Sequence, residues 1–442
     1  MVNRISISIL AALIGTLSTL MWPASATAQT VTEFALPTAS SGPMGITTGP
    51  DGNLWFVEGD GNRIGRITTA GAITEFAIPT ANSQPQQIVS GPDGNLWFVE
   101  GNANKIGRIT PAGVITEYSN PTSPGFPQSL TVGPDGNLWF ADQGPIGAGG
   151  ASVVTGNGSI GRITTAGVIT KFAVPTANSE PNFITTGPDG ALWFTYGNDK
   201  NVGINKIGRI TTAGVVTDFS IPTANSSPMF IVTGTDGALW FTEGASSKIG
   251  RITTAGVITE YALPVNTNPL GISVGPDGAL WFAEAGLWTP SGFVGGGQKI
   301  GRITTSGVIS EFAIPTATSR PGGITMGPDG ALWFSEVNGN KIGRLLPSAT
   351  NAVSLASGWN LLGNDAPVTV ASAFGDTNKV TSVWKWVAST SKWAFYTPSM
   401  ASQALADYAA SKGYDVLTTT NAGEGFWVNA ITSFTVQLPS AR

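Results

Sequence analysis

A sevenfold internal repeat governs what this chain can fold into. The string Gly-Pro-Asp-Gly begins at Gly49, Gly91, Gly133, Gly187, Gly275 and Gly327, and Gly-Thr-Asp-Gly stands in its place at Gly234. Each is followed by Asn or Ala, then Leu-Trp-Phe, and later by Ile-Gly-Arg at Ile64, Ile106, Ile160, Ile207, Ile249, Ile300 and Ile342. A unit of this length is one supersecondary element that cannot bury its apolar face alone, so neighbours must stack on one another.

Within a unit four strand-like runs alternate with turn residues. In the second unit the first three are Gln87–Ser90, Asn95–Glu100 and Lys105–Thr110, and Ile73–Ile78 of the unit before shows the fourth. They are short and rich in β-branched and aromatic residues. Pro-Asp-Gly and Thr-Ala-Gly suit the joints because Gly tolerates positive φ. Four strands at this period predict an all-β, seven-bladed β-propeller. The ends predict how it closes. The chain enters the repeats with Val31–Leu36, a fourth strand without its first three, and leaves after Lys341–Leu346, a third strand without its fourth. Pairing the two removes the open edge that the ring would otherwise present.

The repeats differ in one place. From Gly-x-Asp-Gly to Ile-Gly-Arg the spacing is 15, 15, 27, 20, 15, 25 and 15 residues. All insertions therefore fall between the second and third strands of blades 3, 4 and 6, on one face of the disc, the usual mark of a binding face. The blade 6 insertion carries Trp288 and Phe293. Residues present in every unit read as architecture: the seven Trp pack between blades, and the seven Arg (Arg66 to Arg344) need partners, for which the turn aspartates (Asp51 to Asp329) are the candidates. At the insertion face the second strand ends in a carboxylate (Glu58, Glu100, Asp142, Glu243, Glu284, Glu336) and the third begins with a base (Arg63, Lys105, Lys206, Lys248, Lys299, Lys341). Cross-strand ion pairs are the plain expectation, at ~0–1 kcal/mol each if exposed.

That pattern breaks in adjacent blades. Blade 3 has Asp142 but Ser159 for the base; blade 4 has Lys206 but Tyr196 for the acid; the connection between them carries Glu180 before Pro181. Asp142, Glu180 and Tyr196 are thus the catalytic candidates, with Asp142 and Glu180 the candidate metal ligands and Lys206 an accessory. The residue after the Pro that opens each innermost strand (Met44, Gln86, Gln128, Asn182, Met229, Leu270, Gly322) is neutral in every blade and is expected at the mouth of the central channel. Gln128, Asn182, Tyr196, Lys206, Trp288 and Phe293 are the ligand-binding candidates.

Composition narrows the chemistry. The chain has no Cys and no His, so thiolate nucleophiles, Cys-type zinc sites and the commonest general base are all excluded. With 22 Lys and Arg, net charge −5 and no dense basic run, it lacks a nucleic-acid footprint. Arg4, the apolar run Ile5–Trp22 and Pro23-Ala24-Ser25-Ala26-Thr27-Ala28 read as a signal peptide over 1–28. The expectation is a periplasmic or extracellular chain, a monomer with no integral membrane segment once processed.

The repeat Pro-x-Gly-Ile-Thr-x-Gly-Pro-Asp-Gly-x-Leu-Trp-Phe-x-Glu, with Lys-Ile-Gly-Arg-Ile-Thr and Ile-Thr-Glu-Phe, resembles the virginiamycin B lyase family over about residues 31–347. The resemblance implies a seven-bladed propeller and Mg²⁺-assisted elimination that linearises a cyclic depsipeptide antibiotic at its ester. In that family function rests on a Glu-Pro-His-Gly stretch, a Glu closing the same blade's Trp-Phe-x-Glu strand, and a His in the preceding blade. Here Glu180-Pro181 leads to Asn182, the strand end is Tyr196, and the preceding-blade position is Gln128.

After Pro347 the repeat stops, which divides the chain into a propeller over 29–347 and a small, aromatic-rich, β-rich (α+β) domain over 348–442. Gln403–Lys412 reads as a short helix stopped by Gly413, with Leu405, Tyr408 and Ala409 on one face. Trp359, Trp384, Trp386, Trp393 and Trp427 are expected to fill this domain's core; a sugar-binding platform is the alternative. Three functional readings follow. The first is ligand or partner binding at the insertion face. The second is a lyase or hydrolase with a re-sited carboxylate/Tyr centre, and the third is an envelope scaffold.

Overall fold

Glycines that face aromatic rings let the strands of this chain pack closely, within a blade and between blades. The structure, a computed structural model, describes residues 31–121, 125–144, 158–176, 179–196, 205–289, 292–294, 298–346, 351–363, 368–421 and 424–438. The segment read as a signal peptide and the blade 3 and 4 insertions lie outside these residues. So do the side chains of Trp288 and Phe293, whose backbones pair in a hairpin, Leu287–Thr289 with Gly292–Val294.

Residues from Thr30 to Pro347 form one compact unit and those from Ser348 another. In the first, the blade 1 sheet is Pro43–Thr48, Leu54–Glu58, Arg63–Ile67 and Ile73–Ala77, all antiparallel. Blades 2 to 6 repeat this order. Blade 7 is completed by Val31–Ala35, paired with Lys341–Leu345 in the register Val31↔Leu345 to Ala35↔Lys341. The ring closes there. Seven apolar clusters each join one blade to the next, and the blade 7/blade 1 cluster contains Trp333, Ile342, Ile46 and Phe56.

The glycine of Ile-Gly-Arg is a packing requirement. Gly65 lies opposite Phe56 in register, and a Cβ on it would fall 2.1 Å from that ring. Gly71, in the third-to-fourth-strand turn at φ +92°, would place a Cβ 2.2 Å from Phe34 of the neighbouring blade. The turn aspartates have the expected partners and one more. Each accepts the indole N–H of its blade's Trp at 2.9–3.0 Å. Each also faces its Arg, whose guanidinium lies over that same indole. In blades 1 to 3 the Arg stays 3.6–3.8 Å from the carboxylate. There Asn53, Asn95 and Asn137 donate to the same oxygen. Where that Asn is Ala, in blades 4 to 7, the Arg Nε closes to 2.6–2.8 Å. The arginines are half-buried, so these pairs orient the turn more than they stabilise it.

In the second unit a five-stranded sheet runs in the order Gly358–Gly363, Gly425–Ala430, Val380–Val387, Lys392–Tyr396, Asp415–Val416. Its helix, Ser402–Lys412, ends at Gly413 in the left-handed conformation and buries Leu405 and Ala409. The core holds Leu362, Phe374, Val383, Phe426 and Val428. The five tryptophans do not fill it: Trp359, Trp386 and Trp427 are exposed, and Trp384 and Trp393 half-buried. Strand alternation explains this correction: Trp384, Trp386, Trp393 and Trp427 are each next in sequence to a buried residue and so point the other way, and Trp359 shares the outward face with Leu361 two residues on. No helix among the described residues is long and apolar enough to cross a membrane.

Candidate functional site

The second strand of each blade ends at the insertion face, fully inside the protein. Glu58, Glu100, Glu243, Glu284 and Glu336 are all 0% exposed. Their register partners are the expected bases, Glu58↔Arg63 and Glu100↔Lys105 among them. The ion pairs nevertheless go elsewhere. The base reaches diagonally to an acid on the fourth strand: Arg63 to Glu75 (3.9 Å), Lys105 to Glu117 (3.0 Å), Lys206 to Asp218 (3.6 Å), Lys248 to Glu260 (3.3 Å), Lys299 to Glu311 (2.5 Å) and Lys341 to Glu33 (2.8 Å). This corrects the cross-strand expectation. The fourth-strand acid lies nearer solvent, where a charge pair costs less desolvation than one at the sealed strand end.

That acid also holds the preceding blade's connection. Glu117 accepts from the backbone N–H and hydroxyl of Thr80 (3.0 and 2.9 Å), and Glu75, Glu260 and Glu33 do the same with Thr38, Thr223 and Thr316. The strand-end glutamates answer to a different environment. Burial, then the neighbouring fourth-strand carboxylate, pushes Glu58 up to about 7 and Glu100, Glu284 and Glu336 up to about 8; Glu243 is raised the same way. Each therefore holds its proton more tightly than an exposed carboxyl does.

Blades 3 and 4 reorganise this arrangement. In blade 3 the fourth-strand acid is replaced by Lys171, whose Nζ lies 2.5 Å from Asp142 and 4.6 Å above the Phe140 ring. The base has moved one strand over, from Ser159 to Lys171, and the acid at the strand end stays charged. Asp142 also accepts from Asn120 Nδ2 (2.8 Å), Phe126 N–H (2.8 Å) and Gly144 N–H (3.0 Å). Burial raises Asp142, but the Lys171 ammonium and these donors outweigh it and hold the carboxyl below its usual value. In blade 4 the Tyr196 hydroxyl donates to Asp218 at 2.7 Å. Burial and that carboxylate push the phenol well above its ordinary range.

The structure brings most of the candidates to one corner. Pro181 pairs with Tyr196, and Tyr196 with Lys206. Gly158 fits between the Asp142 carbonyl, the Ser179 carbonyl and Pro181, where a Cβ would fall 2.3–2.9 Å from them. Glu180 is buried beside it, at 1% exposure. Asn182 accepts from Gln143 Nε2 (3.5 Å) and donates to Met229 Sδ (3.5 Å), so the residues after the opening Pro touch between blades 4 and 5. Gln128 follows Pro127, which pairs with Asp142. Trp288 and Phe293 belong to blade 6. Sequence reasoning missed the fourth-strand position. Its signal was present: Lys171 replaces the acid of Ile-Thr-Glu-Phe in the one blade where Ser159 replaces the base.

Asp142 does not suit a Mg²⁺ ligand, because its oxygens already serve an ammonium and three N–H donors.

The virginiamycin B lyase family matches residues 24–153, 151–290 and 293–354. A streptogramin B lyase structure is 38% identical at a TM-score of 0.62, over 72% of this chain and 97% of its own. Selenomethionine-substituted virginiamycin B lyase from Staphylococcus aureus is 39% identical at 0.62, over 72% and 99%. A catalytically inactive histidine-to-alanine variant of the S. aureus enzyme with quinupristin matches at the same 39% and 0.62. With the family model matching most of the chain and these structures 38–39% identical over 97–99% of their own length, the chain belongs to the virginiamycin B lyase family.

Proposed function

We propose that the mature chain is an exported, monomeric propeller that binds a small molecule or an envelope partner at the insertion-bearing face and does not carry out the family's elimination. One observation carries this reading. The S. aureus enzyme is inactive when a histidine becomes alanine, and this chain has no histidine anywhere. Abstracting a proton α to a carbonyl needs a base within reach of substrate and with a pKa near the working pH. Asp142 is held as a salt-bridged anion and Tyr196 as a phenol bound to a carboxylate. The strand-end glutamates have suitable pKa values but are sealed from substrate.

A second reading keeps a re-sited lyase. It is favoured by Glu180, the retained acid of the family's Glu-Pro stretch, buried in the corner with Asn182. The test is incubation of residues 29–442 with quinupristin and Mg²⁺. Chromatography with tandem mass spectrometry follows ring opening, because elimination leaves the mass unchanged. The expected result is intact antibiotic. Linearised product that disappears in Glu180→Ala would establish the second reading and remove the first.

A further inference from the structure

The C-terminal unit turns aromatic side chains outward. Across four of its strands Leu361, Trp427, Trp384 and Phe395 stand side by side in register. Their neighbours Leu362, Phe426, Val383 and Ala394 form the core on the other face. One end of the outer row is covered: Tyr408 of the helix packs on Phe395 (5.7 Å between ring centres), and Tyr414 meets Trp384 (5.2 Å). The other end is bare. Leu361 is 61% exposed, Trp359 58% and Trp427 37%.

Asn429 sits inside this bare patch. It pairs with Trp359 on one side and Ser382 on the other, and follows Trp427 by two residues on the same face. The Ser382 hydroxyl accepts from the Trp384 indole at 3.0 Å. The Asn429 amide makes no hydrogen bond among the described residues, so two donors and an acceptor are left among aromatic faces. The outward positions Trp359, Leu361, Trp427, Asn429, Ser382 and Trp384 carry no charge.

We propose that this face binds a neutral polysaccharide, with sugar rings laid on Trp427 and Trp359 and their hydroxyls read by Asn429. The chemistry selects this occupant. A pyranose has a C–H face and a hydroxyl edge. The C–H face suits the electron-rich face of an indole, and the hydroxyl edge suits an amide set between two indoles. Charge argues against an anionic ligand, which finds no cation at these six outward positions, and favours a neutral one.

The test titrates the full mature chain with cellohexaose, laminarihexaose, xylohexaose and chitohexaose, read by calorimetry and tryptophan fluorescence. At least one is expected to bind saturably. Trp427→Ala and Trp359→Ala should each weaken it at least tenfold, ~1.4 kcal/mol, and Asn429→Ala should weaken it by a smaller factor. Trp359 is mostly in solvent, so its variant keeps the test valid if Trp427→Ala fails to fold. The proposal is overturned if none of the four binds, or if binding is indifferent to Trp359→Ala. A concentration-dependent dimer in sedimentation that Trp359→Ala abolishes would also overturn it, by making the occupant a second copy of the chain.

Discussion

Two residue types set the chain's response to pH and to substitution. The turn aspartates are charged anchors: burial alone would raise Asp93, but Asn95 and the Trp97 indole hold it below the usual carboxylate range. The strand-end glutamates are the reverse. A carboxyl raised in the folded state binds its proton more tightly there than in the unfolded chain. Its contribution is therefore complete below about pH 4.5 and is lost as pH rises through the folded value, about 7 to 8 here. The propeller should thus lose stability steadily between pH 5 and 8, measured as the midpoint of urea unfolding. Glu100→Gln, which mimics the protonated form, should leave stability at pH 5 nearly unchanged, raise it at pH 8 by ~1 kcal/mol or more, and flatten the slope. A pH-independent midpoint in the parent chain would contradict the assignment.

At the scale of a strand pair, blade 3 shows how a charge pattern moves without being lost. Its repeat reads as a defect along the chain, since Ser159 stands where six other blades have a base. In the sheet the base is present one strand over, as Lys171 against Asp142. Lys171→Glu should cost ~3–5 kcal/mol, because it leaves Asp142 buried beside a second acid with no cation. Adding Ser159→Lys rebuilds the arrangement of the other blades and should recover most of that loss. A double variant no more stable than the single one would mean that the two positions are not interchangeable. The sequence made blades 3 and 4 visible as exceptions, at Asp142, Tyr196 and Lys206. It did not show that Lys171 and Asp218 answer those exceptions. Their contact runs diagonally across strands, and linear spacing encodes only the hairpin register.

At the scale of the molecule, the ring depends on its first strand. Val31–Ala35 gives blade 7 its outer edge, stacks Phe34 on Trp333 at 5.6 Å, and supplies Glu33 to Lys341 and Thr316. Deleting residues 31–36 should lower the thermal midpoint sharply, since buried Leu36 alone corresponds to ~2–5 kcal/mol when truncated. It should also promote association through the bared edge of blade 7. A truncated chain that melts as the parent does would show that blade 7 closes without it.

The number of blades, their order, the turn residues and the place of closure could all be read along the chain. All of these follow from a period and from local conformational preference, which are properties of the chain read in one dimension. The folded sheets settled which charges meet and which glutamates are buried where their carboxyls are raised. They also settled that the C-terminal tryptophans face outward. Desolvation and diagonal contact depend on what packs around a side chain, and an identical Leu-Trp-Phe-x-Glu string is silent about its neighbours until the sheets have stacked.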